Sequence, residues 1–219
     1  GASMGMNRLA LSRLGMGALL HDIGKIFIPK DIIRKPGRLS PEEHETVKQH
    51  TVLGYRYLSE HWDVPIEALV GVLSHHERCD GSGYPYGLRR ERLSQEAKLI
   101  AICDVYDAMT SERPYRKALS PSEAMEHIIG NSGILFDEDL IERFFAKIEP
   151  YPVGTPVLLS NGYRGVVVEN HKNALMRPKV AVGESEESNM CLDLLNDPRW
   201  WDVTIIGVDQ KNNQECDPV

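Results

Sequence analysis

At 219 residues with a formal charge of −7, the chain is long enough for one good core plus an appendage, and its acidity opposes a broad electrostatic footprint for duplex nucleic acid. A pI near 5.6 leaves room only for a local basic pocket that meets a small anion. No apolar run approaches the roughly 20 residues of a spanning helix, and the N-terminus lacks a signal-peptide pattern, so the expected compartment is the cytoplasm, with no membrane partner.

Gly1-Ala2-Ser3-Met4 reads as a tag remnant. Over 6–23, Leu9, Leu14, Met16, Leu19, Leu20 and Ile23 predict one helix, or a loop followed by a helix, ended by Gly24. Pro29, Pro36 and Gly37 make 26–38 a connection with at most a helical turn at 31–34. Ser40-Pro41-Glu42-Glu43 combines a capping serine, a first-turn proline and a third-position glutamate, which opens a helix running to about His61. Val47, Thr51, Gly54 and Leu58 are its inward stripe, and His50 falls beside them.

A shorter helix is predicted over 66–77, with Leu69, Val70 and Leu73 inward, His76 on that stripe and His75 about 100° round from it. Asp80-Gly81-Ser82-Gly83-Tyr84-Pro85 then breaks into a loop, where glycine serves the backbone path. Ser94 caps a helix whose stripe is Ala97, Ile100, Ala101, Asp104, Val105 and Ala108, with a carboxylate in the middle of the apolar face. Ser120-Pro121-Ser122-Glu123 starts a helix that ends near Gly130, and Asp137 starts another with Leu140, Ile141, Phe144, Phe145 and Ile148 inward.

From Pro150 the texture changes. Strands at 156–160 and 165–169 around Asn161-Gly162 read as a hairpin, 179–182 as a third strand, 183–189 as an acidic loop and 200–206 as a further strand before a polar tail. The expected fold is mainly α, a helical domain over 5–149, with a small β-rich appendage over 150–219. Cys79, Cys103, Cys191 and Cys216 lie far apart without C-x-x-C spacing, which argues against a zinc finger or a disulfide framework.

His21, Asp22, His50, His75, His76 and Asp104 each interrupt an apolar pattern, and unpaired polar groups are costly to bury unless something coordinates them. A lone histidine on such a face is usually a satisfied core residue, but six polar intrusions together point to a metal centre. Their nitrogen-and-oxygen donors, without thiolate, suit iron, manganese or zinc. Asp22, with two oxygens, can bridge two ions. Lys25 reads equally as a phosphate donor or as a lysine favouring a helix C-terminus.

The motifs His21-Asp22-Ile23-Gly24-Lys25, His75-His76-Glu77-Arg78 with Asp80-Gly81-Ser82-Gly83-Tyr84-Pro85, and Asp104 to Thr110 with Arg113-Pro114-Tyr115-Arg116 resemble the HD-GYP family of phosphodiesterases from Leu19 to about Phe145. The resemblance implies an HD-GYP-type helical bundle with two or three divalent ions, iron or manganese foremost and zinc or nickel as alternatives. It implies hydrolysis of cyclic di-GMP to pGpG, and in some members on to GMP, with cyclic GMP-AMP as the alternative substrate. Carried over by motif, His21, Asp22, His50, His75, His76 and Asp104 are ligands, and Asp22 and Lys25 act in catalysis. Lys25, Arg113 and Arg116 meet substrate phosphate or guanine. Gly81, Gly83, Tyr84 and Pro85 form a loop whose tyrosine packs locally or faces a partner such as a diguanylate cyclase. A non-catalytic binding module and a homodimer are the competing arrangements. Family members also have an upstream helix that supplies a further histidine, and no histidine precedes His21. Either the sequence is a piece of a longer chain, or water or a neighbouring chain fills those positions, so a two-metal site with open positions is expected.

Overall fold

A computed structural model describes residues 1–112, 118–145, 150–171, 174–183 and 190–209. They divide into two units, one of Gly1–Ala118 with Glu126–Phe144 and one of Leu119–Met125 with Phe145–Val219.

In the first unit, α1 (Arg8–Leu20) begins at Asn7, whose Oδ1 accepts the Ala10 N–H at 2.9 Å. It ends earlier than the sequence pattern suggests, and a 3-10 turn over Ile23–Phe27 follows. Gly24 lies within that turn and is not a left-handed helix cap. Its reason is tertiary: a Cβ there would stand 1.9 Å from the His50 carbonyl oxygen and 2.6 Å from the Gly54 nitrogen.

After the single turn α2 (Lys30–Ile33), the one helix expected to reach His61 is two, α3 (Pro41–Lys48) and α4 (His50–His61). The capping box at Ser40 forms as expected, with Ser40 N donating to Glu43 Oε2 at 2.7 Å and Glu43 N to Ser40 Oγ at 3.2 Å. The break is a tightening at Gln49, whose N–H reaches Thr46 O at 3.2 Å, and it makes His50 the first residue of a new helix.

Helix α5 (Ile66–Ser74) packs against α1, α4 and α6 (Gln95–Thr110), and this central position moves its buried stripe from the expected one. Ala68, Leu69 and Val72 are its buried apolar side chains, so the next place on that face is His75, which is 0% exposed. The helix stops three residues short of 77, with Glu77 N–H bonded to Ser74 O at 3.0 Å. Leu58, Leu69 and Val72, with Leu20, Ile23 and Tyr57 against them, form the local core beneath the site. Ser94 caps α6 as read from the sequence, accepting Ala97 N–H at 3.1 Å.

Helices α7 (Pro121–Gly130) and α8 (Glu138–Phe145) follow. Asp137, just before α8, is 7% exposed and takes Arg90 Nε at 3.1 Å and Lys98 Nζ at 3.0 Å. Burial alone would raise its carboxyl, but Lys98 and Arg90 hold it below the usual range. A carboxyl lowered in the folded state stabilises above its unfolded pKa, and that contribution is lost as pH falls through the folded value. Asp137→Asn is therefore expected to cost about 2 kcal/mol at pH 7, with the gap to wild type closing below about pH 3.9. Urea unfolding at pH 7 and at a series of pH values below about 3.9 checks this; a gap that stays constant down the series would refute the assignment.

The second unit contains an antiparallel sheet of β1 (Pro156–Leu159), β2 (Arg164–Glu169), β3 (Lys179–Val182), β4 (Met190–Asp193) and β5 (Ile205–Val208), in the order β4-β3-β2-β1-β5. Val157, Leu159, Val167, Val180, Leu192 and Ile205 form its buried face. The hairpin turns at Gly162, with φ of 86°. Strand β4 has no signature in the sequence, because Leu192 is its one buried residue and no alternation shows. The strand expected over 200–206 starts later, since Asp197 caps a 3-10 turn over Pro198–Trp200. Residues 184–189, most of the expected acidic loop, lie outside the described residues. Among the described residues no helix is long and apolar enough to cross a membrane.

Candidate metal centre

Four segments deliver six side chains to one place. His21 and Asp22 leave the end of α1, His50 opens α4, His75 and His76 close α5, and Asp104 comes from within α6. Ligand atoms of Asp22, His50, His75 and His76 all lie within 4.8 Å of one another. His21 and Asp104 flank this group: His21 Nε2 is 3.3 Å from Asp22 Oδ2 and 3.8 Å from Asp104 Oδ1, and His76 Nδ1 is 3.9 Å from Asp104 Oδ2.

Three of the rings are aimed by one local device. Nδ1 of His21, His50 and His75 donates to the carbonyl three residues earlier, Ala18, Val47 and Val72, at 2.7, 2.6 and 2.8 Å. Donation from Nδ1 fixes the tautomer and leaves the Nε2 lone pair facing the cluster. His50 and His75 then present Nε2 to each other at 3.4 Å, lone pair against lone pair. Asp22 Oδ1, 3.4 Å from His50 Nε2 and 4.0 Å from His75 Nε2, is buried and accepts no hydrogen bond from the described residues. Facing acceptors around an orphaned carboxylate oxygen are unfavourable alone and become favourable around a cation. The residues present fit a metal.

The electrostatics agree. Burial pushes His50 down, burial and then His21 push His75 to about 3, and burial and then His75 push His76 to about 2, so these rings are neutral at neutral pH, the form in which an imidazole can ligate. The Asp22 hydrogen bond raises His21 against its burial. Burial would raise Asp22, yet His21 and Lys25 hold it well below the usual carboxylate range. Lys25 Nζ is ion-paired with Asp22 Oδ2 and half-exposed, at the edge of the cluster.

The loop after α5 covers one side. Tyr84 stacks on His76, centroids 4.7 Å apart at 28°, and stands edge-on to His50 at 6.5 Å. Lys48 lies over the Tyr84 ring at 5.5 Å. Gly81 has φ of +84°, a conformation that favours glycine, and a Cβ on Gly83 would be 2.4 Å from Arg78 N and Glu77 Cα. Pro85 follows Tyr84 through a cis bond. Arg113 and Arg116 lie outside the described residues. Sequence reasoning missed Glu77, a carboxylate 2% exposed beside the loop. A faint signal existed, because an acid at a helix C-terminus opposes the helix dipole and needs another reason to be there.

A helical bundle that closes on a His-Asp doublet and three further histidines defines a metal-binding class of protein. The sequence matches the HD domain family over residues 1–140, and the chain belongs to that family, within it to the HD-GYP proteins. It is 42% identical over 176 residues to a cyclic di-GMP phosphodiesterase of Pseudomonas aeruginosa, covering 80% of this chain and 42% of that protein. It is 44% identical over 148 residues to a cyclic di-GMP phosphodiesterase of Thermotoga maritima, covering 67% of this chain and 40% of that one. Among solved structures, a HDG"Y"P protein from Bdellovibrio bacteriovorus shares the fold with a TM-score of 0.51 at 23% identity, over 64% of this chain and 44% of that one. The chain thus spans about two-fifths of the length of these curated relatives.

Proposed function

We propose that this chain is the catalytic part of a metal-dependent phosphodiesterase that opens cyclic di-GMP to pGpG. The observation that carries the reading is the orphaned Asp22 Oδ1 amid facing imidazole acceptors; the relatives' names supply the substrate class. In this reading 5–149 is the catalytic domain and 150–219 an appendage.

His21, Asp22, His50, His75, His76 and Asp104 would hold two divalent ions; Asp22 turns its Oδ1 toward His50 and His75 and its Oδ2 toward His21. The nitrogen-and-oxygen donor set favours iron or manganese, with zinc or nickel as competitors. Bound divalent ions supply Lewis acidity to the phosphodiester and make water a usable nucleophile near neutral pH. Lys25 donates to a phosphate oxygen as charge develops there, and its pairing with Asp22 keeps its ammonium at the edge of the site. Arg113 and Arg116 contact phosphate or guanine, for which guanidinium forks are suited.

The test is the iron, manganese and zinc content of protein purified anaerobically, with chromatography of products from cyclic di-GMP and, in parallel, cyclic GMP-AMP. Two ions per chain with pGpG formed is the expected result. Metal without product from either dinucleotide would overturn the catalytic reading in favour of a binding module, and product from cyclic GMP-AMP alone would overturn the substrate.

A further inference from the structure

His21, His50 and His75 each have an Nδ1 tied to a backbone carbonyl, but His76 makes no such bond among the described residues. Besides the His75 and His50 rings of the cluster, at 4.1 and 5.1 Å, its ring is met by Tyr84, stacked on it at 4.7 Å. Tyr84 sits on a loop with few other ties to the site: its own N–H reaches His76 O at 3.2 Å, and the loop is closed at its base where Arg90 N–H meets Cys79 O at 3.0 Å. The stronger restraint is Glu77. Its Oε1 accepts the Tyr86 N–H at 2.7 Å and its Oε2 the Leu88 N–H at 2.9 Å. Both oxygens of a buried carboxylate are thus committed to the main chain just beyond Tyr84, and such charge-assisted bonds are the strong ones.

We infer that Glu77 is a positioning residue: it fixes the 84–88 loop so that Tyr84 clamps the plane of the His76 ring, which has no backbone carbonyl among the described residues to orient it. The inference rests on reading His76 as a metal ligand. Neither Glu77 nor Tyr84 needs to touch the ion. Partners of this kind, one step removed from the metal, are typically worth about 10- to 100-fold in metal affinity.

The experiment measures Mn2+ affinity and the visible spectrum of the Co2+-loaded protein for wild type, Glu77→Gln, Tyr84→Ala, Tyr84→Phe and the Glu77→Gln/Tyr84→Ala pair, with circular dichroism of each metal-free form. A glutamine keeps the shape but turns one acceptor into a donor that faces an N–H. Glu77→Gln and Tyr84→Ala are each expected to weaken Mn2+ binding by about 10- to 100-fold and to shift the Co2+ spectrum. Tyr84→Phe, which keeps the stacked ring, should leave both unchanged. Because Glu77 acts through Tyr84, the pair should be no weaker than Tyr84→Ala alone. Wild-type affinity in Tyr84→Ala, or effects that multiply in the pair, would overturn the inference, and the first holds whether or not Glu77→Gln folds. His76→Ala separates the underlying reading: if it alone keeps full affinity and an unchanged spectrum, His76 is not a ligand and the fault lies there.

Discussion

Asp22→Asn is expected to abolish metal-dependent stabilisation and to reduce the proposed phosphodiesterase activity by about a hundred- to a thousandfold, the scale at which losing one group that stabilises developing charge is felt. A ligand that binds only the native state at about 100 times its dissociation constant stabilises by about 2.7 kcal/mol. For a chain of this size that corresponds to a rise in Tm of roughly 5–11 °C on adding Mn2+ to stripped wild type. The aspartate carries the effect because its Oδ1 is buried within the cluster and accepts no hydrogen bond from the described residues. An asparagine there offers one acceptor and one NH2 donor, and the donor can satisfy the Nε2 lone pair of His50, 3.4 Å from that oxygen. The variant cluster closes on its own hydrogen bonds and has no reason to take a cation. Differential scanning calorimetry with and without Mn2+ measures the difference; a full shift in the variant would remove Asp22 from the metal site.

What the sequence made legible, and what it hid, divides along a physical line. Helix starts were readable because caps are local: Ser40, Ser94 and Ser120 each satisfy N–H groups within three residues. The ends at His61 and Gly130 and the buried stripe of Thr51, Gly54 and Leu58 were readable too, but two boundaries and one face were not. The end of α1 and the break at Gln49 follow from how α4 approaches the 23–27 turn, and the buried face of α5 is set by three neighbouring helices, so a stripe drawn for one-sided burial selected Val70 and Leu73 over Ala68 and Val72. The same error placed His75 off the stripe, although it is fully buried. The candidate site was legible as polar intrusions in apolar patterns, since His50 and Asp104 make little sense as core residues without a partner. The aiming of the rings by carbonyls at Ala18, Val47 and Val72 is a property of three-dimensional turns that no residue type announces. Glu77 hid for the opposite reason, because a carboxylate in a loop-flanking position reads as solvated until its two oxygens are seen on Tyr86 and Leu88.

Gly24→Ala is expected to damage stability and metal binding together. The added methyl carbon would lie 1.9 Å from His50 O and 2.6 Å from Gly54 N, and both obstacles are backbone atoms at the start of α4 that no rotamer change can move. Overpacking typically costs 1–3 kcal/mol, and a clash with fixed backbone belongs at the upper end, about 3 kcal/mol, or roughly 6–12 °C in Tm. The relief available to the chain is to push the 23–27 turn away from α4, which carries Asp22 away from His50. The coupling follows from where the glycine stands, between one donor and the helix that bears another. Gly15→Ala supplies a comparison of opposite sign: it sits inside α1 with none of the described residues within 4 Å of where its Cβ would stand, so the methyl group is expected to stabilise by about 0.5–1 kcal/mol. Both substitutions add the same atoms to a glycine of the same unit. If calorimetry of the stripped proteins gave Gly24→Ala the Tm of wild type, the close approach of the 23–27 turn to α4 would be wrong. A Tm lowered with Mn2+ affinity intact would show that Asp22 is held in place by something other than that approach.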